Sequence, residues 1–477
     1  MKEHDIFPEV GHRREDVLNA LADTRARDPK ADGRAFAFVY DAGEEARSIA
    51  REAFTACMGI NGLDPIVYPS ARTIENGVVS AWLELLHGPP GAVGTATAGG
   101  TESVMLAVKA ARDHARRTRP DVTSPRMLLP ETAHACFHKA AHYLGVCVVP
   151  VRVDPVTLRA DVGDARAKMS DDVILVVGSA PSYSHGVIDP IEELAELARA
   201  HGALMHVDAC VGGCVLPFLR DEGVSVPEFD FRVKGVTSVS LDLHKYGFAP
   251  KGVSLLLMRT RELRDAQYFA CGSWTGYVIV NSTTLGSKSA SAMGAAFALM
   301  GHLGKEGYRD RARAMWAATQ KLTSAIDETP GVRMVGRPDM NLFAFTTSQG
   351  DVFELADRLT ERGWLVQPTY AFGPSPAHIH LTVDPGNSAR AGDFIADLRE
   401  CLVDLPDTVR PPEEVIALLS RLGSDGGELD GTTLSAQLGI SDGRLPARSA
   451  HIHRLLDAAP PRVRERLLSL FVGELFS

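Results

Sequence analysis

The chain has 477 residues, 45% hydrophobic and 23% charged, which is enough for two or three packed domains and too apolar for disorder to describe it. Lysine plus arginine total 50 and aspartate plus glutamate 60, so the formal charge of −10 gives no global reason to bind nucleic acid or anionic lipid. The opening residues MKEHDIFPEVGHRRED are polar, no apolar run approaches the ~20 residues of a membrane helix, and the seven cysteines are irregularly spaced, so a cytoplasmic protein with reduced thiols and no transmembrane anchor is expected.

In chain order, residues 1–60 read as a helical, peripheral segment with a helix over 44–57. From 61 to 328, short apolar runs alternate with helical patterns. Strands are predicted at 127–129, 146–153, 173–177, 204–207, 238–241 and 254–258, with helices at 133–144 and 191–201. In the second helix Ile191, Leu194, Leu197 and Ala198 share one face, and Glu192, Glu193 and Glu196 the other. Such alternation predicts an α/β domain with a mostly parallel, doubly covered sheet. A helix over 311–327 stops at Thr329-Pro330-Gly331. Beyond it, strands at 332–335, 342–346 and 379–383 and a helix at 352–361 predict a small α+β domain over 329–410. Residues 411–477 are predicted to form a helical extension. It has a Gly/Ser/Asp-rich loop at 423–431 and an apolar helix at 463–476, which either caps its own domain or docks a partner.

Four stretches carry chemistry. In Thr97-Ala98-Gly99-Gly100-Thr101-Glu102-Ser103, two glycines precede a hydroxyl residue and a helical run. That pattern suits a phosphate cradle at a helix N-terminus, and equally a plain turn in which Thr101 caps the helix and Glu102 complements its dipole. In His206-Val207-Asp208, an aspartate closes a buried strand, where α/β ligand sites form; it either pairs with a protonated heteroaromatic nitrogen or caps the next turn. In Asp242-Leu243-His244-Lys245-Tyr246-Gly247, a lysine follows a strand in apolar surroundings. Desolvation there would lower its pKa and free the amine to attack a carbonyl. Finally His134, His138 and His142 stand at i, i+4 and i+8. A shared helical face raises zinc, but no HExxH motif accompanies them, and no metal is expected. Alternatively, His134 alone is functional, as a ring stacked on a cofactor.

A phosphate cradle, a stacking imidazole, an acid for a ring nitrogen and a carbonyl-trapping lysine are together what pyridoxal 5′-phosphate requires. Their order resembles that of fold-type I pyridoxal-phosphate enzymes, and within these the group II decarboxylase superfamily and its sphingosine-1-phosphate lyases. The matching stretches are 97–113 (TAGGTESVMLAVKAARD), 134–145, 178–190 (GSAPSYSHGVIDP), 206–218 (HVDACVGGCVLPF) and 244–252 (HKYGFAPKG), extended by Tyr40-x-x-Gly43-Glu44-Glu45 and Thr284-Leu285-Gly286-Ser287-Lys288. The final ~60 residues lie outside the resemblance.

The resemblance implies a large domain with a mostly parallel seven-stranded sheet and a small C-terminal α+β domain. Lys245 would hold the cofactor through its ε-amine, Asp208 would keep the pyridine nitrogen protonated, and His134 would stack on the ring. Gly100, Thr101 and His244 would hold the cofactor phosphate, joined by Ser287 from a partner subunit, which makes a homodimer with shared sites. Tyr40, Tyr246 and Lys251 match positions near substrate, and Tyr183 follows a strand toward it. The implied reaction is retro-aldol cleavage of a long-chain base phosphate to a fatty aldehyde and phosphoethanolamine. Amino-acid decarboxylation on the same scaffold is the alternative, so the small-molecule partner is an amine or a phosphorylated amino alcohol. One departure stands out. The lyases carry Asn-Pro-Leu-His before an aromatic-Pro pair, where this chain reads Asn61-Gly62-Leu63-Asp64. A carboxylate facing a phosphate is repulsive. Hence Asp64 turns away, is protonated, or meets a substrate without phosphate there.

Overall fold

Short aliphatic and β-branched runs build the central sheet: β1 (Val93–Thr97), β2 (Arg126–Pro130), β3 (Cys147–Val151), β4 (Val173–Ser179), β5 (Leu204–Asp208), β6 (Ser238–Leu241) and β7 (Ser254–Met258). The computed structural model describes residues 6–408 and 448–476; the loop predicted at 423–431 lies outside the described residues. The strand order is β1-β7-β6-β5-β4-β2-β3. Strands β3, β2, β4, β5 and β6 pair in parallel, and β7 runs antiparallel to both β1 and β6. All seven residues of β4 are buried, as expected of a strand covered on both faces. The register pairs Thr97 with Ser254, Ser179 with Asp208, and Asp208 with Ser240. One edge of the sheet therefore gathers the C-terminal ends of β1, β4, β5 and β6 and the start of β7. In open α/β sheets, that edge is where ligands bind.

A hairpin of β8 (Phe269–Cys271) and β9 (Ile279–Asn281) projects from the large domain with its apolar side chains outward: Phe269, Val278 and Val280 are exposed. A long helix, Ser291–Glu328, then crosses to the small domain; it breaks at Gly304 (φ 57°, ψ 178°), a conformation glycine tolerates. The small domain is an antiparallel sheet ordered β10-β11-β13-β12, made of β10 (Val332–Val335), β11 (Leu342–Thr347), β12 (Gln367–Thr369) and β13 (His378–Thr382), with the helices Val352–Glu361 and Ala391–Cys401 against it.

Two sequence expectations change. Part of the N-terminal segment is built into the small domain rather than peripheral. Phe36 is fully buried against Trp364 and Phe394, and its backbone bonds Leu365 and Thr382. The second change concerns the helix predicted from 133, which starts at Cys136. His134 precedes it and so shares no helical face with His138 and His142. Among the described residues, no group of three or more His, Cys, Asp or Glu side chains is placed to hold a metal. None of their helices is long and apolar enough to cross a membrane.

At the C-terminus, the helices Ala450–Ala458 and Pro461–Leu475 cap the small domain. Arg454 Nε meets Asp351 Oδ2 at 2.7 Å, the Ala450 N–H donates to Asp357 Oδ2 at 2.8 Å, and Arg464 lies 4.6 Å over the Tyr370 ring. Asp351 is 0% exposed and also caps the 352–361 helix through the N–H groups of Phe353 and Glu354. Removing Arg454 strands that carboxylate. Arg454→Ala is expected to cost roughly 3 kcal/mol, read as a lower midpoint in denaturant unfolding of the small domain.

Candidate active site

A cavity of about 550 Å³ opens at the edge just described. Seven sequence-predicted residues line it: Gly100, Thr101, His134, Tyr183, Asp208, His244 and Lys245.

The cradle forms because β1 ends at Thr97 and the helix Gly100–Thr118 starts three residues later. Its first N–H groups have no intrahelical acceptor and face the cavity end of the helix. A Cβ at position 100 would lie 2.8 Å from both Asp242 carboxylate oxygens and 2.9 Å from Cys210 Sγ, so only glycine fits. Glu102 does more than complement the dipole. It is buried; Oε2 accepts the Ala98 N–H at 2.6 Å, and Oε1 accepts the N–H of Thr284 at 2.8 Å and its hydroxyl. It thereby fastens the cradle to the 284–288 loop.

Asp208 is nearly buried at the tip of β5, with Oδ1 accepting the Cys210 N–H at 3.0 Å. Below it His206 lies between Ser238 Oγ (2.8 Å) and Ser240 Oγ (3.2 Å), and burial pulls its pKa down to about 4. The imidazole is therefore neutral. His134 Nδ1 accepts the Cys136 N–H at 3.2 Å, which leaves Nε2 as the ring's N–H donor. Tyr183 stands edge-on to it, ring centres 6.4 Å apart, and donates its hydroxyl to Gln367 Oε1 at 2.7 Å.

Lys245 departs from expectation. Burial does pull its ammonium down, but Asp242 Oδ2 stands 2.9 Å from Nζ and outweighs burial, holding the amine above the ordinary lysine value. Burial likewise pushes the Asp242 carboxyl up, but Lys245 and then His244 pull harder, and it is held below the usual range. Reading the motif as a desolvated lysine missed this carboxylate, three residues upstream, although the signal was in the sequence.

The other predicted residues are not in the lining of this cavity. Lys251 Nζ sits 4.7 Å over the Tyr40 ring and donates to the His244 carbonyl at 3.2 Å. Tyr246 was expected near substrate but is fully buried beneath Tyr40. Its hydroxyl donates to Val383 O at 2.9 Å, so it ties the large domain to the small one. Asn61 Oδ1 accepts the N–H groups of Leu63 and Lys288, which pins the 61–68 loop to the 285–289 loop. Asp64 is exposed, and Oδ1 accepts the N–H groups of Ile66 (2.8 Å) and Val67 (3.1 Å), so the carboxylate is turned into its own loop. Ser287 is exposed and outside the cavity of its own chain.

The cavity suits pyridoxal 5′-phosphate. The cradle has no room for a side chain at position 100, and the inward-facing His244 has a buried Nδ1 with no partner. A cationic amine and a buried acid line the same space. The chain belongs to the pyridoxal-dependent decarboxylase family, whose conserved-domain model matches residues 29–348. Among its relatives is the sphingosine-1-phosphate lyase of Oryza sativa subsp. japonica, 37% identical over 85% of this chain and 74% of that protein. That of Arabidopsis thaliana is 37% identical over 81% and 72%. The solved sphingosine-1-phosphate lyase of Burkholderia pseudomallei superposes with a TM-score of 0.80 at 33% identity, covering 88% of this chain and 97% of that one. At that identity and coverage, the branch of the family is that of the sphingosine-1-phosphate lyases. Residues 396–474 match a second model, a putative helix-turn-helix domain at the C-terminus of pyridoxal-dependent enzymes, so the tail has a counterpart after all.

Gly100→Ala is expected to displace the Asp242 and Cys210 side chains and weaken cofactor binding about tenfold or more, an effect of the size overpacking produces. Titration of the visible absorbance with added pyridoxal 5′-phosphate measures it.

Proposed function

We propose that this chain is a pyridoxal-phosphate-dependent aldehyde-lyase that cleaves the C2–C3 bond of sphingosine 1-phosphate or a related long-chain base phosphate, giving a fatty aldehyde and phosphoethanolamine. The observation that carries the reading is the meeting of Lys245, Asp208, His134 and the Gly100–Thr101 cradle around one cavity, in a chain whose relatives bear that activity in their names. The bound cofactor supplies an electron sink for the pair left when the C2–C3 bond breaks.

The protein's part is positioning. Lys245 holds the cofactor through its amine, and the carboxylate of Asp208 accepts the ring N–H. His134 stacks on the ring and offers its Nε2 proton to an oxygen in the cavity. Lys251 and Tyr40, adjacent to the cavity, suit the substrate phosphate, Lys251 as a mobile point charge. No arginine lines the cavity among the described residues. The planar fork best suited to an α-carboxylate is thus missing, which weighs against decarboxylation.

Ser287 reaches a cofactor phosphate only from a second copy of the chain. The exposed side chains of Ile66, Val67, Tyr277, Val278 and Leu285, on the loops around positions 61–68 and 277–287, support a homodimer that buries this face. Seven free cysteines support a reducing compartment such as the cytoplasm.

Lys245→Ala is expected to abolish the visible absorbance of the cofactor-loaded protein; an unchanged spectrum would exclude this lysine as the anchor. Asp64→Asn keeps the local turn and removes the charge. With the carboxylate turned away, KM for sphinganine 1-phosphate should change by less than about twofold. A drop of tenfold or more would place the charge against the phosphate.

A further inference from the structure

Asp242 has no assigned role, and it occupies a costly position. It follows β6, is 2% exposed, and bonds Lys245 Nζ at 2.9 Å and Ser254 Oγ at 2.6 Å. His244 Nε2 stands 3.7 Å away. Its two oxygens border the cradle closely enough to exclude a Cβ at position 100. A buried carboxylate beside an anion site is unfavourable unless something cationic compensates it. Here the compensating cation is the anchoring lysine itself.

We propose that Asp242 is the resting partner of Lys245: a positioning residue that receives the ammonium whenever the lysine is not joined to the cofactor, and so sets the pH at which the lysine captures it. This rests on Lys245 being the cofactor anchor. Capture requires neutral Lys245 Nζ. The amine gives one proton to solvent base, its lone pair attacks the aldehyde carbon, a C=N bond forms, and one water leaves. Asp242 opposes the first of these steps by holding the proton on Nζ. The same contact gives the freed lysine a fixed place when a substrate amine displaces it.

Other titratable groups face this pair. His244 shares its turn; Asp208, Cys210 and Cys214 approach from the end of β5 and the turn after it; Cys136 comes from the helix after β2; and Tyr40, Tyr183 and Lys251 close the remaining sides. Among the described residues, the hydrogen-bonding partner of Nζ is Asp242 rather than any of these. Lys251 is the internal control, because burial and then the charge of Lys245 hold its amine below the ordinary lysine value.

The test uses the full chain stripped of cofactor. Pyridoxal 5′-phosphate is added back across a pH series, and capture is followed by visible absorbance and by borohydride trapping at residue 245. In the wild type, the capture rate should climb through the alkaline range. In Asp242→Asn the profile should move at least one pH unit lower, so that capture near neutrality is about tenfold faster. Asp242→Glu should return it toward the wild-type profile. An Asp242→Asn profile at the wild-type position overturns the proposal. Should that variant not fold, the wild-type chain is labelled with an amine-acylating reagent and read by mass spectrometry. Lys245 should then reach half-labelling at higher pH than Lys251, and the reverse order overturns the proposal. A wild-type chain that never develops the absorbance would instead overturn the choice of Lys245 as the anchor.

Discussion

Two carboxylates, Asp208 and Asp242, are buried where adjacent parallel strands end, and each charge has to be met at that spot. Water is largely excluded there, so compensation must come from the protein or from what it binds. Asp242 takes the Lys245 ammonium and the Ser254 hydroxyl. Asp208 lines the cavity and takes one backbone N–H, the His206 below it stays neutral between two serines, and among the described residues no ion pair meets Asp208. On the proposed reading, a protonated ring nitrogen in the cavity would be the partner of Asp208. Gly100 belongs to the same constraint, since it lets the cradle come down onto Asp242.

Much of this was legible in the sequence because burial writes itself as composition. The strands 238–241 and 254–258 and the helix 352–361 match prediction to the residue, each being a short run of the right periodicity between breakers. Strand β1 escaped because Val93–Thr97 alternates small and hydroxyl residues and follows a proline-glycine turn. Strand β12 escaped because Gln367–Thr369 is three polar or cyclic residues recruited by its pairing with β13. Long-range pairing of that sort leaves no local signature. The burial of Phe36 escaped for the same reason: its partners are more than 320 residues away.

The site divided along similar lines. Spacing and resemblance together point to Lys245, Asp208, His134 and Gly100, and the fold brings these four to one cavity. They do not reach residues whose role depends on which way a side chain turns. Tyr246 sits next to the anchoring lysine in sequence, but its buried hydroxyl needs an acceptor and finds the carbonyl of Val383, so it serves the domain junction. Asp64 aligns with a phosphate-binding position, but a short carboxylate two and three residues before free N–H groups closes a turn on itself. The motif alone predicts a desolvated, neutral Lys245, whereas the carboxylate three residues earlier, across a turn, reverses that conclusion.

That reversal bears on how the lysine divides its time. An anchoring amine must be reactive enough to join the cofactor and must also let go once per turnover, when a substrate amine takes its place. If it were merely desolvated, it would be neutral and ready to attack again at once, competing with substrate. An ammonium held at 2.9 Å by Asp242 is a poor nucleophile while it stays protonated, and its alternative position is fixed within the same cavity. Joining the cofactor leaves Asp242 with Ser254 and the more distant His244, a buried charge less well compensated than before. On the proposed reading, the carboxylate would favour release, and a ring nitrogen held by Asp208 would favour retention. A balance between two acids on neighbouring strands would let one lysine serve as both anchor and leaving group.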